Sequence, residues 1–368
     1  MSNQPSLRLL IAGGGTGGHL FPALAVAQAW EERGGTVLFV GTEQGLENRI
    51  LPTMGKDLVL LKIGRLKGVG VSDKIRTLLK IPQAIFASMG IIRTFAPHAI
   101  LGVGGYACGP TVLAGWMLGL PTALHEQNAK PGLTNRLLSR VVQRVFVSFP
   151  GTETAFAGCS VHLTGNPVRP IFFQQPRHRD PSFKNQDPFS ILVFGGSLGA
   201  TIFSTLVPQA LAKLEGLQQS LRIVHQTRAT DVEELQKSYQ ALGIEATVVS
   251  FIHEMDAAYR AADLVICRAG ATTVAELAAT GTPALLIPYP HAADDHQTAN
   301  AQALTICGGG WMQPQAACTP EWLGHFLKER ILNQNDLKQV SEKAKILAKP
   351  EAAQQITEQI RQLILAKK

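Results

Sequence analysis

A chain of 368 residues is too long for one ordinary core and fits two α/β domains of usual size. Hydrophobic residues at 45% and charged ones at 17% supply buried parallel strands and exclude a disordered chain. The 34 basic against 27 acidic residues leave a net charge of +7, which favours an anionic partner; with no arginine-rich run or aromatic–basic patch, that partner is not read as nucleic acid.

Residues 7–12 (LRLLIA) read as a short apolar strand, followed by the loop GGGTGGH at 13–19. Apolar residues at helical spacing predict a helix over 20–32, ended by Gly34 and Gly35. A strand follows at 36–40, and further strands are expected at 99–103, 121–124 and 145–148. Strand alternating with helix predicts a mostly parallel sheet covered on both faces. Residues 95–125 carry no Asp, Glu, Lys or Arg, but Gly102, Gly104, Gly105, Gly109 and Pro110 interrupt them, leaving no run of the ~20 apolar residues a membrane span needs. The polar start with its one Arg argues against a signal peptide. Five scattered cysteines without a C-x-x-C pair read as reduced core thiols of a cytoplasmic protein.

The stretch 174–188 (QQPRHRDPSFKNQDP) turns polar and proline-rich, as a linker does. The pattern then restarts with a strand at 190–194, the loop Gly195–Gly199 and a helix. Further strands are expected at 221–225, 247–251, 263–267 and 284–288, and two helices close the chain. The last of these lines up Ile356, Ile360 and Leu363 on one face.

Candidate chemistry gathers at the loops. Gly13-x-Gly15-x-x-Gly18 satisfies the dinucleotide fingerprint, whose glycines let phosphate approach a helix N-terminus. The fingerprint also wants an acid at the end of the second strand, where Gly41-Thr42 stands, and this disfavours a nicotinamide oxidoreductase. His19 has the pKa range of a general base, or is a polar helix-start residue. Thr273-x-x-Glu276 has the spacing of a capping box; alternatively the helix start faces a diphosphate and Glu276 accepts ribose hydroxyls. The clusters His125-Glu126-Gln127-Asn128 and Asp294-Asp295-His296-Gln297 follow apolar strands, where ligands sit. Adjacent loop positions rarely converge on one ion, so no metal and no other cofactor is expected. Residues 74–93, with apolar groups among Lys74, Arg76, Lys80 and Arg93, read as a surface helix or as a patch for anionic headgroups.

The set GGGTGGH (13–19), GGY (104–106), HEQN (125–128), GNPVR (165–169), GGSLGA (195–200), FI (251–252), 268–276 and DDHQTANA (294–301) resembles the MurG family, transferases that convert lipid I to lipid II in peptidoglycan synthesis. The resemblance spans nearly the whole chain in order. It implies the GT-B fold, an α/β architecture of two Rossmann-like domains with mostly parallel sheets facing a central cleft. The implied division is 1–170 for the acceptor- and membrane-facing domain, 171–189 for the linker, 190–349 for the UDP-GlcNAc domain, and 350–368 for a helix that packs back on the first.

Matching motifs imply that Thr16, Gly17, Gly18 and Asn128 lie near sugar and diphosphate, and that Arg169 and Ser197 contact the donor. Ile252 would meet uracil, and Ala271, Thr272, Thr273, Val274, Ala275 and Glu276 would hold diphosphate and ribose. Gln297 would take the GlcNAc hydroxyls, and His19 matches the general base. Ile75, Leu79, Lys80 and Phe86 would contact membrane, with Trp116 a companion. The implied reaction is an inverting transfer of GlcNAc from UDP-GlcNAc to the muramyl C4 hydroxyl of lipid I. The implied place is the cytoplasmic face of the bacterial inner membrane, held peripherally by anionic phospholipid, with cell-wall or division proteins as partners and roles in cell shape and division. Rival readings are another GT-B transferase with an acceptor such as diacylglycerol, a UDP-GlcNAc 2-epimerase, and the nicotinamide oxidoreductase. Departures from the family pattern are Ala269 and Cys108 in place of usual serines, and HQTRATD (225–231) without a glycine after HQT.

Overall fold

The computed structural model describes residues 6–62, 81–156, 158–174, 188–196, 200–333 and 335–367. The chain forms two compact units, one of Met1–Arg169 with Lys349–Lys368 and the other of Pro170–Ala348. In the first unit the described strands are β1 (Arg8–Gly13), β2 (Thr36–Thr42), β3 (Leu58–Leu61), β4 (Ala99–Gly104), β5 (Thr122–Glu126), β6 (Arg144–Val147) and β7 (Ser160–Leu163). Its described helices are α1 (Gly17–Glu31), α2 (Glu47–Ile50), α3 (Ile81–Phe95), α4 (Cys108–Met117) and α5 (Leu133–Leu138).

The second unit holds β8 (Phe189–Phe194), α6 (Thr201–Leu211), β9 (Leu221–Gln226), α7 (Val232–Ala241), β10 (Glu245–Val249), α8 (Met255–Ala261) and β11 (Leu264–Cys267). It continues with α9 (Ala271–Thr280), β12 (Ala284–Leu286), α10 (His296–Ile306), β13 (Trp311–Met312), α11 (Pro320–Leu332) and α12 (Asn335–Ala344). The last helix, α13 (Ala352–Leu365), belongs to the first unit.

Among the described residues every strand pair is parallel, in the orders β3-β2-β1-β4-β5-β6-β7 and β10-β9-β8-β11-β12-β13. Strand alternation explains the two covered faces. Leu9 and Ile11 of β1 point into one cluster with Trp30, while Leu10 and Ala12 point into another with Val112 and Ile92. Helix α13 lays Ile356, Ile360 and Ile364 on the first of these clusters, all nearly inaccessible. The second sheet buries Ile191, Val193, Ile223 and Ile266 with Phe203 and Leu235.

Strand order reverses between β1 and β4 in one sheet and between β8 and β11 in the other. Helices leave opposite faces at such a point, so a crevice opens at the carboxyl ends of those strands. These strands end at Gly13, Gly104, Phe194 and Cys267, where the sequence motifs 13–19, 104–106, 195–200 and 268–276 begin.

Pro170–Phe172 forms a single 3-10 turn whose buried Phe172 packs 6.0 Å, centroid to centroid, from Tyr259 in the second unit. All five cysteines are free thiols, and burial pushes Cys108 up to about 12.

Candidate functional site

In the first unit β1 ends at Gly13, and Thr16 is the extended N-cap of α1. The helix therefore starts three residues earlier than its apolar spacing suggests, and Gly17, Gly18 and His19 form its first turn. The Thr16 carbonyl accepts from the backbone N–H of His19 at 3.2 Å and of Leu20 at 3.1 Å. Behind the loop sits Glu47 of α2, 1% exposed. Its Oε2 accepts from Gly15 N at 2.6 Å, and its Oε1 accepts from Thr42 N at 2.8 Å and Thr42 Oγ1 at 3.1 Å. Gly14 has φ +141°, and a Cβ on it would lie 2.3 Å from the Glu47 carboxyl carbon, so only glycine leaves the carboxylate room.

His19 Nδ1 lies 3.1 Å from the carbonyl of Gly14 and 3.3 Å from Thr16 Oγ1. A carbonyl can only accept, so the proton of the neutral ring sits on Nδ1 and Nε2 keeps a lone pair. A Cβ on Gly104 (φ +96°) would stand 2.8 Å from His19 Nε2, which explains the glycine that opens GGY.

The HEQN motif begins inside β5 rather than after it, because His125 and Glu126 are buried strand residues. Glu126 Oε1 accepts from Asn128 N at 2.9 Å and Nδ2 at 3.2 Å, and Oε2 accepts from Gly132 N at 3.2 Å and Asn135 Nδ2 at 2.8 Å. Burial pushes this carboxyl above its usual range against the pull of those donors. Burial likewise pulls His125 down to about 4, opposed by a hydrogen bond with Gly165 and assisted by the charge of His19. Half-buried Asn128 is thus fixed through Glu126, and the Arg169 guanidinium lies 5.5 Å over the Phe21 ring of α1.

In the second unit the N-cap of α9 is Gly270, in extended conformation. This corrects the capping-box reading: Thr273 sits at the third helical position and Glu276 at the sixth, so the two are not the N-cap and N3 residues that their spacing suggests. Tyr259 of α8 donates its hydroxyl to Glu276 Oε2 at 3.1 Å, and the Thr273 side chain bonds the same phenol. Burial first, then the Glu276 charge, raises the Tyr259 phenol well above its usual range. Ala271, Thr272 and Val274 are buried, while Thr273 and Ala275 are half-buried.

Gln297 Oε1 accepts from Ala269 N at 3.2 Å and Tyr289 N at 2.9 Å, so its remaining capacity is the two donors of its amide NH2. Buried Asn300, one turn on, donates to the Ala269 carbonyl at 3.1 Å. Arg268 is a strut: it bonds the carbonyls of Ile287 and Pro288 at 3.0 Å each and Gln315 Oε1 at 2.7 Å. Asp294 and Asp295 both hold φ near +53°, a conformation costly for residues with a Cβ, as they lead into α10. Half-buried Ile252 follows β10. Among the described residues no group of three or more His, Cys, Asp or Glu is placed to hold a metal ion. Ser197 lies outside the described residues.

Helix α3 buries Ala84, Ser88, Met89 and Ile92 and leaves Phe86 72% exposed; Trp116 and Met117 of α4 are exposed as well. Ile75, Leu79 and Lys80 lie outside the described residues. Among the described residues no helix is long and apolar enough to cross a membrane.

Residues 9–147 match the glycosyltransferase family 28 N-terminal domain, and residues 190–356 match the family 28 C-terminal domain. The crystal structure of Acinetobacter baumannii MurG superposes with a TM-score of 0.78 at 35% identity, covering 97% of this chain and 99% of that one. A Myxococcus xanthus relative, named UDP-N-acetylglucosamine–N-acetylmuramyl-(pentapeptide) pyrophosphoryl-undecaprenol N-acetylglucosamine transferase, is 44% identical over 96% of this chain and 92% of its own. A Magnetococcus marinus protein of the same name is 49% identical over 371 residues, 100% of both chains. The chain belongs to the MurG family.

Its two parallel-sheet domains have the GT-B architecture of that family. In this MurG-family chain, three residues that sequence reasoning passed over join the candidates: Glu47 behind the first loop, Tyr259 behind Glu276, and Asn300 behind Ala269. Asn300 lay within the DDHQTANA motif and was findable there. Glu47 and Tyr259 had no signal, since their partners are 32 and 17 residues away.

Proposed function

We propose that this chain transfers N-acetylglucosamine from UDP-N-acetylglucosamine to the C4 hydroxyl of the muramyl sugar of lipid I, giving lipid II. The observation that carries this is the 49% identity, over the full length of both chains, to a relative named for that transfer. The site chemistry supports it. With its proton on Nδ1, His19 offers the Nε2 lone pair to the C4 hydroxyl. The C4 oxygen attacks the anomeric carbon from the face opposite the diphosphate, the bond to UDP breaks with its electron pair, and configuration inverts.

The α9 N-terminus, with Ala271, Thr272 and Thr273 in its first turn, faces the departing diphosphate and supplies backbone N–H groups and a positive dipole end. Glu276, steadied by Tyr259, takes ribose hydroxyls, with Val274 and Ala275 lining the same helix. Ile252 meets uracil, and Gln297 gives its amide donors to sugar hydroxyls. Arg169 and Ser197 contact the donor, and Thr16, Gly17, Gly18 and Asn128 flank the reacting sugar. Purified protein should release UDP only when a polyprenyl-diphosphate muramyl acceptor is added, and EDTA should leave that rate unchanged. Release with diacylglycerol instead, or strict dependence on a divalent ion, would sink the reading.

Phe86, together with Ile75, Leu79 and Lys80, forms the contact with anionic phospholipid at the cytoplasmic face of the inner membrane, beside any cell-wall or division partner. The exposure of Phe86 supports this. Sedimentation with phosphatidylglycerol vesicles should fall severalfold in Phe86→Ser; equal sedimentation of the two proteins would remove Phe86 from the contact.

A further inference from the structure

We propose that Glu47 is a positioning residue that acts on His19 through the Gly14–Gly15 peptide group. The inference rests on the assignment of His19 as general base. The amide of this peptide, Gly15 N–H, donates to Glu47 Oε2 at 2.6 Å, and its carbonyl, Gly14 O, accepts from His19 Nδ1 at 3.1 Å. The peptide is trans, so its N–H and C=O point in opposite directions, and carboxylate, peptide and imidazole form one chain of hydrogen bonds. A negative charge at the N–H end polarises the amide and makes its carbonyl a stronger acceptor. The imidazole is thereby held in the Nδ1–H tautomer, and the imidazolium that forms on proton uptake is favoured. In a Ser-His-Asp triad the carboxylate touches the histidine directly; here one peptide group stands between them.

The loop is built around this carboxylate. A Cβ at Gly14, Gly41 or Gly45 would come within 2.3, 2.4 and 2.0 Å of Glu47 side-chain atoms respectively. Thr42 supplies two more donors, from N and Oγ1, so the two oxygens are met by three donors and the side chain has one orientation. The arrangement also reassigns the glycines. The Gly15 N–H is spent on Glu47, so Gly15 holds the carboxylate in place and does not itself donate to a ligand.

Other groups around His19 do not replace this charge. His125 on β5, which interacts with His19 electrostatically, is kept neutral at physiological pH by burial. The Arg169 guanidinium lies over Phe21, two residues along the same helix, and Tyr106 is in the loop that carries Gly104 and Gly105. None of these is a carboxylate.

The test is nitrogen-15 NMR of histidine-labelled full-length protein, wild type and Glu47→Gln, with UDP release followed against pH. The wild type should give the Nδ1–H tautomer of His19. In Glu47→Gln the side-chain amide cannot accept from Thr42 and Gly15 with both ends, and the ring should become a tautomer mixture that titrates at lower pH. The acid limb of kcat should move down with it, and kcat should fall about ten-fold while KM for UDP-N-acetylglucosamine stays within about two-fold.

An Nε2–H tautomer in the wild type overturns the proposal whether or not the variant folds. A variant that loses rate while keeping the wild-type tautomer and titration also overturns it, because Glu47 would then be structural only. Failure of the base assignment looks different: His19→Ala would keep full turnover while the NMR differences persisted.

Discussion

His225 lies on β9, one strand in from the edge of the second sheet, fully inaccessible, with Nδ1 2.7 Å from the Tyr239 hydroxyl. Burial pulls its pKa down to about 3, against an ordinary value of 6.5. The sign of the consequence follows from which state binds protons. Above pH 6.5 neither folded nor unfolded imidazole is charged, and the stabilisation is complete. As pH falls below 6.5 the unfolded chain takes up a proton that the folded chain refuses, so stability drops by about 1.4 kcal/mol per pH unit until pH nears the folded value. Urea unfolding of the second unit should therefore weaken from pH 6.5 to 5.5, and His225→Gln should remove about that much of the slope. An unchanged slope would mean that the folded imidazole reaches solvent and titrates normally. His125, pulled to about 4, adds the same trend in the first unit, while Glu126, pushed up, opposes it there.

The ten-residue helix α9 orders the donor side of the molecule. Thr273 and Glu276 are one turn apart on it, and both reach the buried phenol of Tyr259 on α8. Removing that hydroxyl leaves Glu276 without one of its donors and free to sample other rotamers. Tyr259→Phe should raise KM for UDP-N-acetylglucosamine about five- to ten-fold, in line with one lost hydrogen bond of roughly 1 kcal/mol or more to a charged group. Calorimetry with UDP alone should register the same loss; full affinity would assign Tyr259 to packing only.

The strands and the first glycine loop were legible because their evidence is local: an apolar run, then residues that permit tight turns. The switch points follow from strand order, which residue spacing alone does not give. Glu276 was legible as a candidate, but the capping-box spacing suggested a bland alternative that the helix start at Ala271 removes. Glu47 stayed hidden because it lies five residues past Thr42, where the dinucleotide fingerprint has no expectation, and it turns back to bond both Thr42 and Gly15. Its value comes from a contact that exists only once β1, β2 and α2 are assembled.

At the scale of the whole molecule, the first unit is discontinuous in sequence and the second is not. Helix α13 covers the first unit's core with Ile356, Ile360 and Ile364, each contributing roughly 1.5–3 kcal/mol by burial. Their sum is comparable with the ~5–15 kcal/mol that holds a whole domain folded. Deletion of residues 349–368 should therefore melt or aggregate the first unit while UDP still binds the second with affinity within a few-fold of the intact chain. Two transitions by calorimetry, with only one displaced, is the expected result; a first unit that melts as in the intact chain would contradict it.

This discontinuity also fixes an order of events at the ribosome. Residues 1–169 emerge first, yet their core lacks its last helix until the whole of Pro170–Ala348 has been made. At roughly 5–20 residues per second that interval is on the order of ten to forty seconds. Throughout it the nascent first unit presents a bare apolar stripe along α1, while the second unit can close as soon as it leaves the exit tunnel. The half of the chain that is synthesised first is the half that finishes last, and it is the half that a nascent-chain chaperone would have to shield.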